Sequence, residues 1–213
     1  MGVKFVSNKD ETLRLFDNPI LEYCTHIHPI TPFIVYIPLV LILQISALQY
    51  LVLSQQVLFP ILGLVIWTLF EYVLHRYIFH YKPKSGWGKK LHFMSHGIHH
   101  DYPRDSTRLV MPLLLSLPLA TILFIPTFLF LGYIGFSLFA GFLFGYVCYD
   151  GIHYAAHHMQ MKSKIGRFIQ QYHLKHHFLD DDNYYGVSSP LWDIVFSTYP
   201  HKKKKELHDT FDT

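Results

Sequence analysis

Two long stretches of this chain carry no charged residue. No Asp, Glu, Lys or Arg occurs between Glu22 and Glu71, a run of 48 residues, or between Arg108 and Asp150, a run of 41. A helix rises 1.5 Å per residue, so about 20 apolar residues cross the hydrocarbon core of a bilayer. Each run therefore holds two spans back to back. The pattern predicts four membrane helices over about 31–53, 57–78, 109–131 and 133–150, with turns at Ser54, Gln55 and Gln56 and between Gly132 and Gly135. Pro112, Pro118 and Pro126 are expected to bend the third span, a feature membrane helices tolerate. A soluble domain would alternate charged and apolar faces, and these runs do not.

The flanks read differently. Residues 1–29 mix charges with Leu13, Leu15, Phe16, Ile20 and Leu21, which suggests short amphipathic helices on the membrane surface. Residues 151–200 are expected to form a helical cap, and 201–205 a solvated basic end near anionic headgroups. The expected fold is thus an all-α integral membrane protein, one domain over 1–213, with two transmembrane hairpins capped by helices.

Charge then orients the hairpins. With those turns, all 18 Lys and Arg lie on one side, which the positive-inside rule makes cytoplasmic. Either an endoplasmic reticulum membrane or a bacterial inner membrane fits. The two cysteines, Cys24 and Cys148, make no disulfide framework, in keeping with a reducing compartment. The N-terminus lacks the apolar core of a cleaved signal peptide, so the first span is expected to be the insertion signal. No repeat, phosphate loop or nucleic-acid motif is present, and no nucleic-acid partner is expected.

The histidines carry the chemistry. Twelve of the 16 fall in four blocks beside the apolar runs: His75 and His80; His92, His96, His99 and His100; His153, His157 and His158; His173, His176 and His177. Residues three or four apart share a helix face. His96, His99 and His100 can therefore point one way, as can His153 with His157, and His173 with His176 and His177. His75 and His80 are five apart, and a helix ending between them would restore the match. Paired spans bring all four blocks to one side of the bilayer. Imidazole is a ligand for zinc and for redox-active iron or copper. Ten to twelve are too many for one ion and suit two, with four or five nitrogens each. There is no HExxH zinc-protease motif and no serine-hydrolase elbow.

These blocks resemble those of the membrane di-iron oxygenases, a superfamily of fatty acid hydroxylases, desaturases and sterol oxidases. Within it the chain is most similar to the fatty acid 2-hydroxylases. The similar stretches are residues 70–80, 96–112, 149–157, 172–178 and 186–196; Pro103, Asp105, Arg108, Leu109, Val110 and Pro112, with Leu191, Trp192 and Asp193, carry the likeness to that branch. The resemblance implies ten metal ligands: His75, His80, His96, His99, His100, His153, His157, His173, His176 and His177. It leaves out His92, which spacing would admit. His158 lies off the His153/His157 face; both are expected around the ligands rather than among them. His26, His28, His201 and His208 lie outside the blocks.

The resemblance further implies two iron ions, replaceable by zinc on isolation, O2 as oxidant, and α-hydroxylation of a fatty acid or of a ceramide-type acyl chain. Only about 29 residues precede the first span, too few for a fused haem domain, so a separate cytochrome b-type or ferredoxin-type donor is expected. Glu71, four before His75, and Asp150, three before His153, are placed to orient imidazoles. Asp150 and Tyr149 are the candidate catalytic residues, while Arg108 and Asp105 read as a charged loop in solvent. Two alternatives use the same histidines: another lipid oxidase of the superfamily, or a metal transporter. A transporter would place acidic residues within the spans, and the uncharged runs contain none.

Overall fold

A computed structural model describes residues 5–200. The described residues form helices and loops, with no strand among them. Four helices are long and apolar enough to cross a membrane: α2 (Thr31–Leu48), α3 (Leu53–Val73, continued by a π turn over Leu74–Phe79), α6 (Leu113–Leu131) and α7 (Tyr133–His158). The shorter ones are α1 (Pro19–Cys24), α4 (Gly86–His92), α5 (Ile98–Asp101), α8 (Lys164–Phe178) and α9 (Leu191–Val195). A second π turn, Phe93–Gly97, joins α4 to α5. The basic end at 201–205, with His201 and His208, lies outside the described residues.

Helix α7 is the axis of the bundle and packs on α2, α3 and α6. Its contact with α3 is closest where glycines remove side chains from both partners. A Cβ on Gly63 would lie 1.9 Å from the Leu138 carbonyl oxygen, and one on Gly141 1.9 Å from that of Pro60. Small residues let membrane helices approach until backbones touch. Around that seam Tyr36, Trp67, Phe139, Phe142, Leu143 and Tyr146 form the core. Polar pairs also bind helix to helix: the Tyr36 hydroxyl donates to Ser116 Oγ (2.7 Å), and Ser137 Oγ to Gln44 Oε1 (3.0 Å).

Three boundaries differ from the sequence expectation. The first turn falls at 49–52, and Ser54, Gln55 and Gln56 already belong to α3. Their polarity caps the turn from inside the helix: Gln55 Oε1 accepts from Val52 N–H, and Gln56 Nε2 donates to the carbonyls of Leu48 and Leu51. The third span starts at Leu113, after Pro112. The fourth continues past Asp150 to His158, because 26 residues make about 39 Å of helix and overshoot a bilayer core of about 30 Å. The third histidine block therefore rides on a transmembrane helix, not on the cap.

The N-terminal residues also depart from expectation. Apart from α1 they form an extended strap pinned to the 101–108 loop, through Ser7 N–H to the Asp101 carbonyl (2.8 Å) and Ile27 N–H to that of Thr107 (2.8 Å). Glu22 sits at the centre. It accepts from the N–H groups of Leu15 and Phe16 and pairs with Arg108, which also donates to the Leu13 carbonyl. Arg108 and Asp105 are therefore buried, not in solvent. Burial raises the Glu22 pKa, but the Phe16 and Leu15 amides, then His26 and Arg108, outweigh it and hold the pKa at about 2.

Candidate metal centre

The ends of α3 and α7 lift two histidine blocks just beyond the spans, and α5 and α8 bring the other two over them. Ten histidines gather as two sets of five. Set A is His75, His80, His96, His100 and His176; set B is His99, His153, His157, His173 and His177. Within each set, one nitrogen per ring lies within 4.8 Å of all the others.

Local backbone geometry makes this grouping. In an α-helix, residues five apart point about 140° away from each other. The π turn restores the match for His75 and His80: His80 N–H bonds the His75 carbonyl at 3.1 Å, the i to i+5 closure of a π-helix. The helix widens there and ends at Phe79, just before His80, so the spacing was right about an end between the two histidines but not about the π turn that precedes it. The two HxxHH blocks do not point one way either. In each, the outer pair stays in one set and the middle histidine crosses to the other. His96 and His100 serve set A and His99 set B, while His173 and His177 serve set B and His176 set A. The sets are built alike, each from a pair ending a transmembrane helix, an i,i+4 pair, and one histidine from the opposite block.

The donors fit metal ions. Set A has His75 Nε2 3.1 Å and His100 Nε2 3.0 Å from His96 Nε2, and His176 Nε2 2.9 Å from His80 Nε2. In set B, His153 and His99 are 2.9 Å apart and His157 and His173 2.8 Å, again between Nε2 atoms. An ion bonded to nitrogen at about 2.1 Å, with neighbouring ligands near 90°, spaces them about 3.0 Å apart. Protonation agrees. Burial first, and then neighbouring imidazoles, hold His96, His99, His173 and His177 well below the ordinary histidine pKa, leaving lone pairs at neutral pH. Both ring nitrogens of His177 are buried without a hydrogen-bond partner, and a bound ion would satisfy one of them.

One loop fixes the tautomers in set A. His75 Nδ1–H donates to the Tyr185 carbonyl at 2.5 Å, and His176 Nδ1–H to the Asn183 carbonyl at 2.7 Å. Tyr184, between these two, has φ +62°, and the carbonyls on either side of it both accept from set A histidines. For an aromatic residue such a conformation costs roughly 1–2 kcal/mol. Two buried carboxylates hold the loop in place. Asp193 accepts from the N–H groups of Tyr185 (2.9 Å) and Gly186 (2.7 Å), and Glu71 from those of Val187 (2.8 Å) and Ser188 (2.9 Å). Glu71 thus acts on the loop that holds His75, not on the ring itself.

An apolar pocket of about 460 Å³ opens onto both sets, with His96 from A and with His99 and His153 from B in its wall. Trp67, Tyr146 and Tyr149 lie on its bundle side, Leu114 and Leu115 come from α6, and Leu15, Phe16 and Leu21 from the strap. Asp150 also lines it, 1% exposed, with its carboxylate beside the Tyr146 hydroxyl. The Tyr149 ring stands 5.6 Å from that of His153.

With this geometry established, sequence comparison decides the family. The fatty acid hydroxylase family matches residues 60–198, well over half of the chain. The chain belongs to the fatty acid hydroxylase family. It is 39% identical over 194 residues to dihydroceramide fatty acyl 2-hydroxylase FAH2 of Arabidopsis thaliana, covering 88% of this chain and 80% of that protein. It is 33% identical to fatty acid 2-hydroxylase of Homo sapiens, covering 90% of this chain but 58% of that protein, less than two thirds of its length. Among solved structures, full-length scs7p, of which only the hydroxylase domain is visible, matches with a TM-score of 0.79 and 37% identity, over 87% of this chain and 71% of that one.

His92 and His158 enter neither set: His92 lines a separate cleft, and His158 is half-buried and stacked on Tyr154 at 4.4 Å. His26 is tied to Thr107 and Arg108. Asp193, Asn183, Tyr184 and Tyr185 were not singled out as site residues by sequence reasoning. Asp193 lay within a stretch that carried the family likeness; a carbonyl acceptor has no side-chain signature at all.

Proposed function

We propose that this chain hydroxylates the α-carbon of a long acyl chain, free or within a ceramide-type lipid, using O2 and two electrons from a separate cytochrome b-type or ferredoxin-type donor. The balance is one C–H bond converted to C–OH, with the second oxygen atom leaving as water after taking up two protons. The ten histidines would hold a pair of iron ions, which supply the oxidising power for cleaving a strong C–H bond. By the positive-inside rule this end of the bundle faces the cytoplasm.

The protein's own groups supply placement. The apolar pocket takes the alkyl chain and excludes water, and its polar end fixes which carbon lies against the histidines. Asp150, on the pocket wall beside Tyr146, would accept a hydrogen bond from an amide N–H or hydroxyl of the substrate head. Tyr149, packed between Trp67 and His153, borders the same end. The carbonyls of Tyr185 and Asn183 keep the Nε2 lone pairs of His75 and His176 turned inward.

The observation that carries this reading is a single apolar pocket bounded by imidazoles of both sets. It is tested by lipid mass spectrometry in a host lacking 2-hydroxylated acyl chains, with isotope-labelled O2. The chain should yield 2-hydroxy acyl lipids carrying labelled oxygen, and His176→Ala should not. Equal product from both, or products that have lost two hydrogens without gaining oxygen, would overturn it.

A further inference from the structure

A second cleft, of about 230 Å³, reaches the histidines from elsewhere and differs in character. His80, His96 and His100, three of the five donors of set A, form part of its wall; no donor of set B does. Its other walls include Asp101, Asp181, Lys82 and His92. Set B meets a cavity through His99 and His153, and that cavity is the apolar pocket.

A hydrated divalent cation pays heavily to cross an apolar wall unpaired, so the acyl pocket is a poor route for it. The second cleft suits it. Asp101 and Asp181 line the cleft, and acidic side chains in a confined opening raise the local cation concentration. Lys82, the opposing charge, is engaged by Asp182 at 2.6 Å. His92, the block member that enters neither set, stands in this wall as a half-buried imidazole on the way to His96 and His100.

We infer that this cleft is the loading and exchange route for the ion of set A, with a hydrated divalent cation entering past Asp181 and His92, and that set B exchanges through no comparable opening. The inference rests on the two-ion reading above. The test follows metal, not turnover. The chain is reconstituted in lipid nanodiscs, loaded with Zn²⁺, and mixed with a water-soluble colorimetric chelator. Two phases of equal amplitude are expected, the faster at least tenfold ahead, and His176→Ala should lose the faster one. His92→Trp, which fills the cleft, should slow the fast phase at least tenfold and leave the slow one alone. Asp181→Lys, at the surface, should slow Zn²⁺ loading about tenfold, and it decides the matter if His92→Trp does not hold two ions. Leu115→Trp, in the apolar pocket, should change neither phase. Release of two ions in one phase, or wild-type rates in both cleft variants, would overturn the inference and leave the two-ion reading intact. A chain that binds no metal would refute that reading itself.

Discussion

Two buried carboxylates hold the 183–188 loop, yet their geometry predicts opposite tolerance to amide replacement. Asp193 accepts with both oxygens from groups that include backbone donors: Oδ1 from Tyr185 N–H and the Thr198 hydroxyl, Oδ2 from Gly186 N–H. In Asp193→Asn one oxygen becomes an NH2, and whichever way the amide turns, it faces a backbone N–H that cannot accept. One hydrogen bond to a charge is lost, worth about 1.5–3 kcal/mol, and a buried donor is left unsatisfied at about 1–3 kcal/mol more. The total, roughly 2.5–6 kcal/mol, falls on the loop that carries the Nδ1 acceptors of His75 and His176. Glu71 differs. Its Oε1 takes the N–H groups of Val187 and Ser188, while Oε2 takes only the Ser188 hydroxyl. An NH2 at Oε2 can donate to that hydroxyl, so Glu71→Gln should lose little beyond charge assistance, about 1 kcal/mol. Groups that orient metal-bound histidines typically affect affinity 10–100-fold. Asp193→Asn should therefore weaken one of two metal equivalents by that factor, leaving the other and the helix content unchanged, and Glu71→Gln should keep both. The assay is metal content by mass spectrometry after dialysis against graded chelator, with circular dichroism as the control for folding. Equal chelator midpoints for Asp193→Asn and wild type, or a greater loss in Glu71→Gln, would refute the reasoning.

Three other predictions follow from the same geometry. His99→Ala should empty set B, although both of its block partners serve set A, and His176→Ala should empty set A; anomalous scattering from each variant would show which position loses its metal, and loss at the other position would contradict the crossing. Gly141→Ala places a methyl 1.9 Å from the Pro60 carbonyl oxygen; α3 and α7 must separate, and overpacking of this kind costs about 1–3 kcal/mol, seen as a lowered melting temperature in detergent that an unchanged melting curve would rule out. Glu22, held at a pKa of about 2, binds its proton more weakly folded than unfolded, so its contribution is complete above the ordinary carboxylate range near 4.3 and fades as pH falls toward 2. Glu22→Gln should accordingly speed hydrogen exchange at the Leu15 and Phe16 amides at neutral pH, whereas wild type should loosen there only below about pH 4.

The spans were readable because a bilayer imposes one requirement, freedom from charge over about 20 residues, that appears in the sequence directly. Their ends were not. Gln55 and Gln56 look like turn residues, yet they make the turn from within α3 by bonding backward, Gln55 to the Val52 N–H and Gln56 to the Leu48 and Leu51 carbonyls. Asp150 looks like an exit from the membrane, yet α7 runs on for eight residues beyond it. The histidine blocks announced their chemistry through spacing, and the five-residue gap between His75 and His80 correctly signalled a break from α-helical geometry. Its resolution depended on a π turn, which has no residue signature. Nor did the sequence disclose that the groups orienting His75 and His176 are main-chain carbonyls, those of Tyr185 and Asn183.

The crossing of His99 and His176 has a structural consequence that spacing alone hides. If each HxxHH block served one set, the half of the chain ending in α5 and the half beginning with α6 could each complete a set alone. Each set instead draws four histidines from one half and the fifth from the other. Four imidazoles satisfy a structural zinc ion, so it is the fifth histidine of each set that ties the two halves together. Neither hairpin can then present a complete set until the other is docked against it. The glycine seam packs α3 directly on α7, the two helices whose ends carry His75 and His153, so one packing contact bears on both sets at once.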